Sequence, residues 1–175
     1  MKYIILILAF LLLGARYEIP ADKDVVKQSK QIALSQLGVE ELTGRNDGLQ
    51  VNEYQKSVGI PSGSPWCCAF EYWCYDSASM ELALPNPLLK TGLANAEYNY
   101  AMKIGVQTSS QPQENDLIVW RETNSYSGHI ERILQVMGTN TVLTIGGNVS
   151  NSVQLSVRHI SSPLGRLHVR GLIGT

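Results

Sequence analysis

An α+β fold is predicted for this chain, and three observations predict it. Apolar residues recur at helical spacing from Pro20 to about Ile104, and short β-type runs broken by Gly, Asn and Ser follow from Leu117 onward. No internal repeat, low-complexity tract or long linker separates the two halves, so helices and strands belong to one domain, with the strands in an antiparallel sheet or half-barrel of about five.

The elements follow in order. Residues 1–15 read as a secretory signal peptide: Lys2 gives a positive start, the apolar run 3–13 is far shorter than the roughly 20 residues a membrane helix needs, and the small Gly14 and Ala15 follow it. The working domain is then 16–175, secreted or periplasmic, with no stable membrane insertion after cleavage; an uncleaved N-terminal anchor is the competing reading. Over 22–37, Val25, Val26, Ile32, Ala33 and Leu37 share one helical face, and Gly38 stands where a C-cap takes positive φ. Thr43-Gly44-Arg45-Asn46-Asp47-Gly48 is turn chemistry, and Val51, Tyr54 and Val58 mark a short second helix ending at Gly59. Pro65 suits the first turn of a third, central helix, on which Ala69, Phe70, Trp73, Cys74 and Ser77 form a face for deep burial. A fourth helix is expected over 91–104, ending at Gly105. Strands are expected at 117–120, 130–137, 142–145, 153–160 and 167–173.

Composition narrows the function. With 44% hydrophobic and 17% charged residues the chain is neither disordered nor fibrous, and 14 basic against 15 acidic residues, without like-charge runs, give no grip on nucleic acid or an anionic bilayer. Three cysteines, Cys67, Cys68 and Cys74, are too few for a disulfide scaffold and lack the spacing of a zinc site. Cys67 stands in the first helical turn, where unpaired amides and the helix dipole favour a thiolate; buried small apolar groups are the alternative reading of all three. Of the histidines, His129 in Ser127-Gly128-His129-Ile130 is best placed to act as base, whereas His159 and His168 fit structural strand positions. Asn148, in Ile145-Gly146-Gly147-Asn148, closes the next strand, where its carbonyl is in position to fix the histidine tautomer; Gly-Gly-Asn alone is equally a turn.

Thr43 to Gly48, Pro65-Trp66-Cys67, Ala69-Phe70, Pro85-Asn86-Pro87, Gly128-His129-Ile130 and Gly147-Asn148 together resemble the CHAP-type cysteine amidohydrolases and peptidases, relatives of the NlpC-type wall hydrolases. The resemblance implies a papain-like fold with the nucleophile at the start of the central helix. It implies Cys67 as nucleophile, His129 as general base and Asn148 as the polar residue beyond it, acting without metal or organic cofactor on an amide of peptidoglycan or a muropeptide, as a monomer. The family commonly reads Glu-Gly-Asn where this chain has Gly146-Gly147-Asn148, and Glu131 stands where a small residue is usual. Either Asn148 alone suffices, or the domain is weakened and binds wall fragments, or Glu131, two residues beyond His129 and so on the same strand face, replaces the lost carboxylate. A toxin-like cysteine amidase or peptidase is a further reading of the same residues.

Overall fold

Helical periodicity gives way to strand alternation where the sequence predicts it. The computed structural model describes residues 23–104, 112–121, 128–160 and 166–169. The 1–15 segment, the stop at Gly105 and residues 170–173 of the last expected strand lie outside these. Four helices, α1 (Lys23–Ser35), α2 (Leu49–Val58), α3 (Cys67–Leu82) and α4 (Ala94–Ile104), precede five strands, β1 (Leu117–Arg121), β2 (Gly128–Gly138), β3 (Thr141–Val149), β4 (Ser152–His159) and β5 (Arg166–Val169). The strands form one antiparallel sheet in the order β4-β3-β2-β1-β5. This is the α+β, papain-like arrangement that the sequence predicts, with small shifts at the element ends. The expected third helix runs further, to Leu82, where Ala83 takes the left-handed conformation (φ 55°) and its N–H satisfies a terminal carbonyl of the helix.

The central place of α3 follows from its composition. Cys67, Cys68, Ala69, Phe70, Tyr72, Cys74, Tyr75 and Ala78 are all buried, so apolar groups surround the helix, as befits one enclosed by other elements. On one side Phe70 and Trp73 meet Tyr54 of α2 edge-on, with ring centroids 5.4 and 5.1 Å apart, and Tyr54 stacks on Trp66 at 5.5 Å. On the other, the sheet supplies Ile130, Ile145, Leu117 and Val119, all fully buried. Burial of each such aliphatic side chain contributes about 1.5–3 kcal/mol.

Two features hold α3 against the sheet. Gly147 of β3 lies so close that a Cβ there would stand 2.6 Å from Phe70 Cβ and 2.7 Å from Trp66 Cζ3. Only glycine lets the strand touch the helix start. Behind it, the fully buried Arg132 of β2 donates to Glu71 of α3 (3.1 Å) and to Ser29 of α1 (2.8 Å), and its guanidinium lies 4.5 Å from the Tyr75 ring centroid. This pair, with Nε and Nη2 both donating to Glu71 Oε2, joins α1, α3 and β2 in one register. Burial pushes the Glu71 carboxyl up, and the Arg132 charge opposes that rise.

Candidate active site

The site begins where α3 begins. Trp66 occupies the N-cap position without a side-chain capping bond, so the first-turn N–H groups are directed to whatever lies beyond the helix end. Cys67 is the first helical residue, 5% exposed, and its Sγ lies 3.8 Å from the Gly128 carbonyl at the start of β2. The next residue on that strand is His129. Its cross-strand partner is Trp120, whose ring centroid is 5.8 Å away, so the imidazole is packed on one side by β1.

His129 stands between the Glu131 carboxylate and the Cys67 thiol. Nε2 lies 2.9 Å from Glu131 Oε1, while the Cys67 thiol is directed to the Gly128 carbonyl and is near enough to the imidazole to favour its charged form. Burial disfavours the imidazolium, but the hydrogen bonds to Cys67 and Glu131 and the charges of both outweigh it, and the histidine pKa rises to about 9. Glu131 moves the other way. Burial would raise its pKa, yet hydrogen bonds from His129, Arg158 and Thr144 hold it down at about 2. An ionised carboxylate accepts only, so His129 Nε2 carries the proton and Nδ1 is the ring nitrogen available for proton exchange.

Glu131 is fully buried and fully engaged. Oε1 takes His129 Nε2–H and Arg158 Nη2–H, and Oε2 takes the Thr144 hydroxyl and Arg158 Nε–H at 3.1 Å. The room for this side chain comes from β3: a Cβ at Gly146 would stand 2.6 Å from Glu131 Cγ. A small residue at 146 and a carboxylate at 131 are therefore two halves of one steric arrangement. Of the sequence alternatives, a replacement carboxylate at Glu131 is the one whose geometry the structure displays.

The structure places Asn148 elsewhere than the sequence suggests. The expected bond to the imidazole is absent among the described residues, because the β3–β4 register breaks between Gly146 and Val149 and Asn148 takes φ 57°. Its side chain turns to the start of α3. Assigned so that nitrogen faces the Glu41 carboxylate (3.2 Å) and oxygen faces the Trp66 main-chain N–H (3.3 Å), the amide joins the residue before Cys67 to the loop after α1. Glu41 also accepts the Trp66 indole N–H at 2.9 Å and the Asn46 main-chain N–H at 2.7 Å. Asn148 and the Thr43–Gly48 turn thus hold the helix start, and Cys67 and His129 are brought together without them. This latch left no spacing signal; the only hint was the Glu41 carboxylate standing before a polar turn.

The remaining candidates take quieter positions. Cys68 and Cys74 are buried, and burial pushes both thiols well up. His159 lies on β4 opposite Thr141, and His168 lies on β5 opposite Ile118. Beside Cys67 a cleft of about 360 Å³ is lined by Ile60, Pro61, Ser64, Pro65, Leu93 and Gly128. No charged side chain among the described residues lines it. Among the described residues no group of His, Cys, Asp or Glu could hold a metal ion, and no helix is long and apolar enough to cross a membrane.

This arrangement can perform nucleophilic acyl transfer: a thiol at a helix start, a histidine positioned to take its proton, and a buried carboxylate that fixes the histidine tautomer. No curated protein and no solved structure matches the chain. A family model for the CHAP domain does, over residues 59–148, a span that opens at the glycine closing α2, includes both Cys67 and His129, and ends at Asn148. Since that match takes in just over half of the sequence and the fold agrees with it, the chain belongs to the CHAP domain family of cysteine- and histidine-dependent amidohydrolases and peptidases.

Proposed function

We propose that this protein is an exported peptidoglycan hydrolase that cleaves an amide bond through the Cys67 thiolate. The observation that carries the reading is His129, set next to Gly128, whose carbonyl Cys67 Sγ meets at 3.8 Å, and held by the buried Glu131 at 2.9 Å through Nε2. His129 Nδ1 accepts the Cys67 proton, and the thiolate attacks the amide carbonyl carbon. The tetrahedral oxyanion is met by main-chain N–H groups in the first turn of α3, including that of Cys67. His129 then gives its proton to the leaving nitrogen, the C–N bond breaks, and a thioester remains on Cys67. Water, deprotonated by His129, hydrolyses the thioester and restores the thiol.

Asn148 acts in this scheme as a positioning residue, through Trp66, rather than on the histidine. The CHAP match supports wall amide cleavage as the chemistry, and the 1–15 segment supports export to the envelope or medium. The apolar, uncharged cleft beside Cys67 suits an acyl group with a small neutral side chain. A wall-binding relative without activity is disfavoured by Glu131, which supplies the carboxylate that Gly146 cannot.

The test is mass spectrometry of the soluble fragments released from purified peptidoglycan under reducing conditions, with Cys67→Ala and Cys68→Ala in parallel. New amide-cleavage termini from wild type and Cys68→Ala, lost in Cys67→Ala, are expected. Folded wild-type protein that releases nothing from several wall types would overturn the reading.

A further inference from the structure

A second cavity, of about 380 Å³, is lined by His129 and not by Cys67, and among the described residues it shares no lining residue with the cleft at Cys67. His129, Trp120, Val157, Arg158 and His159 line it. We propose that this cavity is the leaving-group subsite and that it selects an amine portion bearing a carboxylate, which the Arg158 guanidinium holds. The proposal rests on the hydrolase reading above and adds a substrate class to it.

The side is assigned by the chemistry. His129 must protonate the leaving nitrogen, so the amine half of the substrate lies against the imidazole, while the acyl half stays on Cys67 as the thioester. The cavity lined by His129 therefore receives the amine half, and the one lined by Cys67 receives the acyl half.

The selectivity is assigned by the guanidinium. Arg158 uses one edge, Nε and Nη2, on Glu131. Its end, Nη1 with the second hydrogen of Nη2, has no acceptor among the described residues and matches a second carboxylate in fork geometry. The side chain is 35% exposed, and its guanidinium lies 5.6 Å from the Trp120 ring centroid, so the planar group is held while its end stays accessible. Charge points the same way. The single carboxylate of Glu131 stands between two cationic groups, the protonated His129 and Arg158, and among the described residues no Asp or Glu lines the cavity. His159, whose Nδ1 lies 3.3 Å from the Thr141 hydroxyl, adds an imidazole to the same wall.

The test compares two acetylated dipeptides, acetyl-alanyl-glutamate and its bis-carboxamide, titrated against the Cys67→Ala protein with NMR shifts of the Trp120 indole and His129 ring as readout. The dicarboxylate is expected to bind at least tenfold more tightly than the diamide. Adding Arg158→Gln should bring the two within twofold, and Arg158→Lys, which keeps the charge but not the fork, should reduce the preference severalfold. Equal affinities in the Cys67→Ala protein, binding of neither peptide, or a preference that survives Arg158→Gln would overturn the proposal. The hydrolase reading is decided separately by the peptidoglycan digest. Wall cleavage without acid preference removes only the subsite, and acid preference in a protein that releases nothing keeps the anion-binding cavity and removes the hydrolase.

Discussion

Replacing Glu131 by Gln keeps the shape of the side chain and removes its charge, and the consequences can be worked from its four hydrogen bonds. Each carboxylate oxygen accepts two donors, His129 Nε2 and Arg158 Nη2 on one, Thr144 Oγ1 and Arg158 Nε on the other. A carboxamide satisfies one such pair and presents its own N–H groups to the other. A hydrogen bond to a charged group contributes about 1.5–3 kcal/mol, and one pKa unit corresponds to about 1.4 kcal/mol, so loss of the Glu131 charge should lower the His129 pKa by about one to two units. With its side chain 29% exposed, His129 recovers part of that from solvent, and about one unit is the expectation. The imidazolium that accompanies the thiolate should then be lost about one pH unit below the alkaline limb expected for wild type at about 9. Amide cleavage should also slow by about 100-fold, less than the roughly 10⁴-fold seen when a triad carboxylate is neutralised elsewhere, because Trp120 still packs the ring. The assay is the rate of release of amide-cleavage products from peptidoglycan as a function of pH, for wild type, Glu131→Gln and Asn148→Ala. Asn148→Ala should slow the reaction while leaving the limb at about 9, since it acts on the helix start. An unchanged limb and a rate within twofold of wild type in Glu131→Gln would refute the orienting role of the carboxylate.

Alkylation of the folded protein at neutral pH should stop at one label, on Cys67, because burial pushes the Cys68 and Cys74 thiols up; peptide mapping reads the site. Arg132→Leu should destabilise the fold by about 3–5 kcal/mol in denaturant unfolding by leaving Glu71 buried without its partner, and adding Glu71→Leu should recover most of that loss. Gly147→Ala should cost about 1–3 kcal/mol, read as a fall in melting temperature, since its Cβ would overlap Phe70 and Trp66. Stability should be greatest between about pH 4.5 and 6.5. His129 contributes fully below its ordinary 6.5 and loses that as pH climbs through about 9, while Glu131 contributes fully above its ordinary 4.5 and loses that as pH falls through about 2. A melting temperature that instead rises steadily from neutral pH to beyond 9 would contradict the sign of the His129 shift.

The fold was legible because its signals are local. Gly59 closes α2 with φ 76°, Leu117 to Trp120 give way to β1 over 117–121, and the change from helical to alternating spacing falls after Gln111 as the chain passes from α4 to β1. The Glu71–Arg132 pair was not legible. Sixty-one positions separate the two residues, and each alone reads as an ordinary charged group on a helix or strand; only the packing of α3 on β2 brings them together with both fully buried. Cys67 and His129 were legible as chemistry, since a thiol at a helix start and a histidine after glycine each carry a local signature. Asn148 was legible as a residue but not as a role, because the direction of its side chain depends on a break in strand register and a positive φ that the sequence marks only as a turn.

The position of the carboxylate shows why a motif departure has to be read in three dimensions. From Gly146 the sequence alone leaves three outcomes open, a site served by Asn148 alone, a weakened site, or a site served by a carboxylate at Glu131. On paired strands the difference between those outcomes is steric. Residues 131 and 146 share one face of β2 and β3, and the volume that a side chain at 146 would occupy is already filled by the Glu131 stem, with 2.6 Å from Cγ to the would-be Cβ. A glutamate at 146 and one at 131 therefore exclude each other, whereas glycine at 146 is what allows Glu131 to bury fully and meet His129, Thr144 and Arg158 at once. The same shift ties the acid-binding cavity to the reacting pair. Because the carboxylate rises from β2, it draws Arg158 across from β4 and sets its guanidinium beside Trp120, and a cation that neutralises the orienting group on one edge is left to meet substrate with its end.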